Sequence, residues 1–227
     1  MIVPVWMVFA SSTHTSSFIN THGLQFFLGD SFQENYLRVL LYKGGFFKEI
    51  TALKMFFNSF VMATGVALLS VVTSLMAAYA LVYYRTKYAT FLFWLIFITI
   101  LVPLELRIFP TYSVMAKLNL VNSYFGLIVP ISASAIATLF FRQFYKTVPD
   151  ELLESAKLDG ANTWRFFIDF LVPLSRTMIV AMFIFMFVFG YNQYLWPLLV
   201  TSSEQYWTVV MGLKMMSGSI VHRFAFV

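Results

Sequence analysis

The sequence predicts an all-α membrane protein, a polytopic bundle of transmembrane helices, and three observations carry that prediction. Hydrophobic residues make up 60% of the 227 and charged residues 11%, with a mean hydropathy of +0.79. A soluble domain is roughly 45–50% apolar and about 25% charged, so a globule of this size has too few charges to cover its surface. Four apolar runs reach or approach the about 20 residues that a helix rising ~1.5 Å per residue needs to cross a ~30 Å hydrocarbon core. The runs are too long and too evenly apolar for barrel strands, and in lipid a helix satisfies every backbone N–H and C=O from within. A soluble enzyme, a disordered tail and a disulfide-stapled secreted domain are excluded.

The elements follow in order. Ile2 to Ala10 is apolar over about half a span and lacks the basic start of a signal peptide, so it reads as the tail of a helix whose start is missing. Residues 11–54 are polar and carry Gly23, Gly29, Gly44 and Gly45, the composition of an exposed loop with short helices. The first full span is expected at 60–84, closed by Arg85 and Lys87. Ala63 with Ala67, and Ser70 with Ser74 and Ala78, recur every fourth residue, giving a face that lets another backbone approach closely. The second span, 88–104, follows almost at once, so these two form a helical hairpin. The third is expected at 124–141, ended by Arg142 and thinned by Ser132, Ala133, Ser134, Ala135 and Ala137. The fourth is expected at 178–200, with no further span before Val227. One transmembrane domain over 1–227 is the resulting expectation, with four spans and a remnant at 1–10.

Between the third and fourth spans lies the most informative segment. Residues 142–173 hold Asp150, Glu151, Glu154, Asp159 and Asp169, interleaved with Arg142, Lys146, Lys157 and Arg165. The pattern is helix, break, helix. Thr147 is placed to cap the first helix, with Pro149 in its first turn and Asp150 and Glu151 favoured by its dipole. Leu152, Leu153 and Ala156 mark an apolar side. Gly160 stands where a helix terminates in the left-handed conformation. Asn162 or Thr163 caps the second helix, and Pro173 ends it.

Charge and cysteine content add little. The net charge is +5 and the pI about 9.4, but the basic residues mostly flank apolar runs, as at a membrane surface rather than on nucleic acid. Seven of the 15 Lys and Arg fall in 85–87 and 142–176, which leaves orientation unsettled by charge alone. With no cysteine there is no disulfide framework, thiolate nucleophile or Cys-type metal site. His14, His22 and His222 show no ligand spacing, and no GxxxxGK[ST] loop is present to hold ATP. No catalytic residues and no metal site are expected.

The spacing Glu154-Ser155-Ala156, three residues, Gly160, nine residues, Phe170-Leu171-Val172-Pro173 resembles the EAA loop of ABC importer permeases. Ser155, Phe170 and Val172 stand where that family carries Ala, Ile and Leu. Asp159-Gly160-Ala161 and Pro173-Leu174 are similar to the sugar-importer version. The stretches WLIFITILVPLELRIFP (94–110), FRQFYKTVPDELL (141–153) and YNQYLWPLL (191–199) resemble the glycerol-3-phosphate-importing members of the maltose-type permeases, over roughly residues 55–200. The resemblance implies a type I permease bundle of six spans in the bacterial inner membrane. Both termini and the 142–173 loop would face the cytoplasm. Most of the first span and all of the sixth would be absent from this chain.

Function follows from the resemblance. The chain would be the permease subunit of an ATP-driven importer, for glycerol 3-phosphate or a related glycerophospho-compound, with sugars as the alternative solute. A truncated, non-transporting membrane remnant is the other reading. Partners would be a second permease subunit forming a heterodimer, two ATPase subunits that bind the ATP, and an extracytoplasmic solute-binding protein. The ATPase would dock on Glu154, Ser155, Ala156, Asp159, Gly160 and Pro173. Arg107, with a planar fork suited to phosphate, is a candidate for the solute path, against pairing with Glu105 or a lipid headgroup. Asn192 and Gln193 lie in an otherwise apolar run, where polar side chains either bond across helices or line a pathway.

Overall fold

The structure, a computed structural model, describes residues 2–41, 50–84 and 87–215. Arg85, Gly44, Gly45 and His222 lie outside the described residues, as do residues 216–227, on which part of the expectation of no further span falls; helical backbone occupies 209–215. Among the described residues there is helix and no strand. The chain divides into two compact units, Met1–Phe57 with Gly212–Val227, and Asn58–Met211.

The first unit contains α1 (Ile2–Ser12), α2 (Ser16–His22) and α3 (Phe32–Leu41). Side-chain hydrogen bonds hold them together. Asn35 of α3 donates to the carbonyls of Ser12 and His14, and the Trp6 indole donates to the Phe26 carbonyl at 2.9 Å. The rings of His14, Phe18 and His22 stack in sequence. His14 and His22 are therefore loop and helix-surface residues, in keeping with their lack of ligand spacing.

The second unit holds the spans. Here α4 (Ala52–Tyr83) begins before the apolar run expected at 60–84, because Leu53, Met55, Phe56 and Phe57 continue it. Among the described residues α4 alone is long and apolar enough to cross a membrane by itself, and three further helix pairs qualify together. These are α5 (Ala89–Leu101) with α6 (Leu104–Lys117), bent by 105°; α7 (Tyr124–Ile131) with α8 (Ala135–Tyr145), bent by 49°; and α10 (Thr163–Leu174) with α11 (Arg176–Tyr191), bent by 75°. Between the last two pairs lies α9 (Asp150–Leu158), and α12 (Leu195–Val200) follows α11.

Two expected spans are corrected. The run at 124–141 is not one helix, because it opens at Ser132–Ser134 after Pro130. Broken backbone at membrane depth needs partners, and the small face of α4 supplies them. Ser70 donates to the Ser132 carbonyl at 2.5 Å, while Ser74 and Thr138 both donate to the Ser134 carbonyl. Ala63, Ala67, Ser70, Ser74 and Ala78 are all buried, so the small residues that predict close packing meet this break on one side. On another, Gly190 of α11 lies so near α4 that a Cβ there would be 3.1 Å from the Ala63 Cα. The run at 178–200 likewise ends as a helix at Tyr191, and α12 starts afresh at Leu195. Asn192 closes α11 by donating to the Val188 carbonyl at 2.9 Å.

Two clusters form the core of this unit. One joins α4, α8, α9, α10 and α11 through Leu75, Tyr79, Phe141, Ala156, Phe167 and Met182. The other joins α4, α6, α7, α11 and α12 through Met62, Ile108, Leu127, Met186 and Trp196. Trp196 is fully enclosed and donates to the Gly126 and Leu127 carbonyls. Outward, Phe91, Trp94, Ile98, Val180, Ile184 and Val188 are exposed on the chain's own surface.

Candidate functional site

The segment between α8 and α11 is built from local signals. Thr147 does not cap α9. Its hydroxyl donates to the Phe144 carbonyl at 2.7 Å and closes α8 instead, since α9 starts at Asp150 and Thr147 lies two residues before its cap. Pro149, extended at φ −61 and ψ 140, is the N-cap of α9, and Asp150 and Glu151 fill its first turn. The helix ends in a Schellman motif: the Gly160 amide donates to the Lys157 carbonyl at 3.0 Å and the Ala161 amide to the Ala156 carbonyl at 2.9 Å. Gly160 has φ +78, a conformation glycine adopts without strain.

Asn162 then caps α10, accepting from the Arg165 amide at 2.8 Å. Residues Phe166–Leu171 widen into a π-helical stretch. Pro173 has no amide to donate, and α10 ends one residue later at Leu174. Ser175 completes the turn, its hydroxyl donating to the Leu171 carbonyl at 2.6 Å.

Burial separates this segment into two faces. Ala156, Phe166, Phe167 and Leu171 are buried against α4 and α8. Glu154, Ser155, Asp159 and Gly160 are exposed, and beside them Leu158 is 90% and Trp164 59% exposed. A Cβ added at Gly160 would meet nothing within 4 Å. Of the expected docking residues, Glu154, Ser155, Asp159 and Gly160 thus share one open face, Ala156 anchors the helix from behind, and Pro173 lies at the far bend. Arg165 and Asp169, 3.8 Å apart, form an exposed ion pair on this segment.

A second feature is a cavity of about 300 Å³ inside the same unit. Its wall includes Thr99 of α5, Arg107 and Thr111 of α6, Ser134 and Ala135 at the break before α8, and Met186 of α11. Arg107 makes no ion pair among the described residues, Glu105 included. Asn192 and Gln193 do not line this cavity; they occupy the turn between α11 and α12.

Sequence reasoning missed further contributors. Tyr79 of α4 donates to the Thr163 carbonyl at 2.7 Å and ties α10 to the longest span; its periodic place on the Leu75–Tyr79 face was the available signal. Thr111 lies one turn from Arg107 on α6, its hydroxyl donating to the Arg107 carbonyl, whereas Thr99 and Ser134 reach the same cavity only through the bend at Pro103 and the break at 132–134. Ser175 carries a signal only in hindsight of the Pro173 bend.

A family profile described as binding-protein-dependent transport system inner membrane component matches residues 70–226. Curated relatives include the sn-glycerol-3-phosphate transport system permease protein UgpE of Yersinia enterocolitica, 50% identical over 165 residues, 73% of this chain and 59% of that protein. The protein of the same description from Agrobacterium fabrum is 42% identical over 215 residues, 94% of this chain and 76% of the relative. The matched stretch thus spans about three-fifths of the Yersinia relative's length. Among solved structures, a bacterial ABC transporter involved in the import of the acidic polysaccharide alginate superposes with a TM-score of 0.80 at 20% identity, over 94% of this chain and 73% of that one. At that identity the likeness concerns the fold, a type I ABC permease bundle.

Proposed function

Because the chain belongs to the family of binding-protein-dependent transport system inner membrane components, we propose that it is the permease subunit of an ATP-driven importer of sn-glycerol 3-phosphate. Its place is the inner membrane. The observation that carries the coupling role is the two-faced segment 150–174: one face is locked into the core through Ala156, Phe167 and Leu171, and the other presents Glu154, Ser155, Leu158, Asp159 and Gly160 to solvent. A surface backed so firmly moves as one body with α4 and α8. The ATPase subunits dock on it from the cytoplasm, and their closure tilts the spans so that access alternates between the two sides.

The partners are a second permease subunit, two ATPase subunits and an extracytoplasmic solute-binding protein. ATP hydrolysis takes place on the ATPase subunits, and this chain supplies the path. The names of relatives at 42–50% identity support the solute. In the solute path, Arg107 is the residue with a cavity before it, while Asn192 and Gln193 shape the turn that ends α11. The test is reconstitution of the chain with these partners in proteoliposomes. ATP-dependent accumulation of glycerol 3-phosphate, absent without the ATPase subunits, is the expected result; ATP-dependent uptake of a neutral sugar in its place would overturn the solute assignment.

A further inference from the structure

The cavity beside Arg107 has a composition that apolar helix packing does not require. Three separated segments bring a guanidinium, two threonine hydroxyls and a serine hydroxyl to a space of about 300 Å³, within the range of small-molecule sites. The rest of the lining, with Ile108, Phe185, Met186 and Trp196, is apolar and suits a short carbon chain.

The donors are specific. Arg107 has no ion pair among the described residues and is exposed, so its guanidinium is open to a ligand. Ser134 accepts from the Ala137 amide at 3.1 Å, which leaves its own O–H proton to give. Thr99 and Thr111 donate to the Ile96 and Arg107 carbonyls, so their oxygens remain open to accept a hydroxyl from a ligand. Ala135 and Ile136, on the same wall, are the first residues of α8, whose amides lack intrahelical acceptors. One side of the cavity therefore offers positive charge and donors, and the threonines offer acceptors.

We propose that this cavity binds a small phosphomonoester, its phosphate on Arg107 and Ser134 and its hydroxyls on Thr99 and Thr111. The inference rests on the reading of the chain as a phospho-solute permease and gives that reading its binding site. Arg107 is the specificity-determining residue: its fork takes two phosphate oxygens at once, which lysine does not reproduce. A phospholipid headgroup carries the same phosphate chemistry, and the experiment separates the two sources.

The chain has no cysteine, so Ala133→Cys places a single thiol on the cavity wall, where Ala133 is exposed. The complete transporter is purified in a phosphate-free detergent, and the rate of thiol modification is followed with and without ATP. Glycerol 3-phosphate should slow modification several-fold, glycerol should not, and inorganic phosphate should compete. Adding Arg107→Ala should abolish the protection, and Arg107→Lys should shift it to at least tenfold higher concentration. Protection that persists unchanged in Arg107→Ala, or a thiol that glycerol 3-phosphate never protects, would overturn the proposal. So would protection by added phospholipid and not by the solute. Glycerol-3-phosphate-stimulated ATP hydrolysis of the parent transporter, with Ala133 intact, separates the failures: its absence means the reading as a phospho-solute permease has failed, and its presence with no protection of the thiol means only the cavity assignment has.

Discussion

The phenol of Tyr79 donates to the carbonyl of Thr163 at 2.7 Å, joining the C-terminal part of α4 to the start of α10. Tyr79 is 6% exposed, and its ring also packs on Phe167, centroid to centroid 4.8 Å. Through this contact any displacement of the exposed α9–α10 segment reaches the longest span. Tyr79→Phe keeps the ring and deletes the bond, a loss of roughly 0.5–1.5 kcal/mol, too little to unfold the bundle. The ratio of solute-stimulated to basal ATP hydrolysis should fall in Tyr79→Phe while membrane levels stay constant. An unaltered ratio would confine Tyr79 to packing.

Close packing at α7 gives a second expectation. A Cβ on Gly126 would overlap the Leu120 carbonyl oxygen, whereas a Cβ on Gly65 would meet the tip of the Ile128 side chain at 2.6 Å. Backbone has no rotamer by which to yield, and overpacking typically costs about 1–3 kcal/mol. Gly126→Ala should therefore lower the thermal aggregation midpoint of the purified transporter clearly, and Gly65→Ala much less. Equal midpoints would show that the Leu120 loop moves aside freely.

Orientation is testable because the chain lacks cysteine. Lys157 in α9 and Lys117 at the end of α6 are both exposed. In intact cells an impermeant maleimide should label Lys117→Cys and leave Lys157→Cys untouched until the membrane is opened. The reverse pattern would invert the assignment of the docking face to the cytoplasm.

Much of the architecture was legible in the sequence where the cause is local. The end of α9 follows from Gly160, the start of α10 from Asn162, and the tight face of α4 from the spacing of Ala63, Ala67, Ser70 and Ser74. Breaks caused by distant partners were not. Pro130 marks the opening at Ser132–Ser134 locally, but the partners that sustain it, Ser70 and Ser74, lie some 60 residues away. The hydroxyl of Thr147 could accept from the first amides of α9 or donate to the last carbonyls of α8, and the pattern alone did not show that α9 starts only at Asp150. Arg107 stood out as a charge after a span, but only the 105° bend between α5 and α6 brings it to the same cavity as Ser134.

The most direct test of the account is Gly160. Within the chain its Cβ position is open, and a side chain there pays only for its left-handed backbone, roughly 1–2 kcal/mol and less for Asn than for most residues. If Gly160 merely ended α9, Gly160→Asn would behave as the parent and only Gly160→Val would suffer. If an ATPase subunit presses against this backbone, both side chains occupy space the partner needs. Solute-stimulated ATP hydrolysis of the reconstituted transporter distinguishes the two. The account predicts that stimulation is lost in Gly160→Asn almost as fully as in Gly160→Val, with both variants reaching the membrane at parental levels; full stimulation in Gly160→Asn would contradict it.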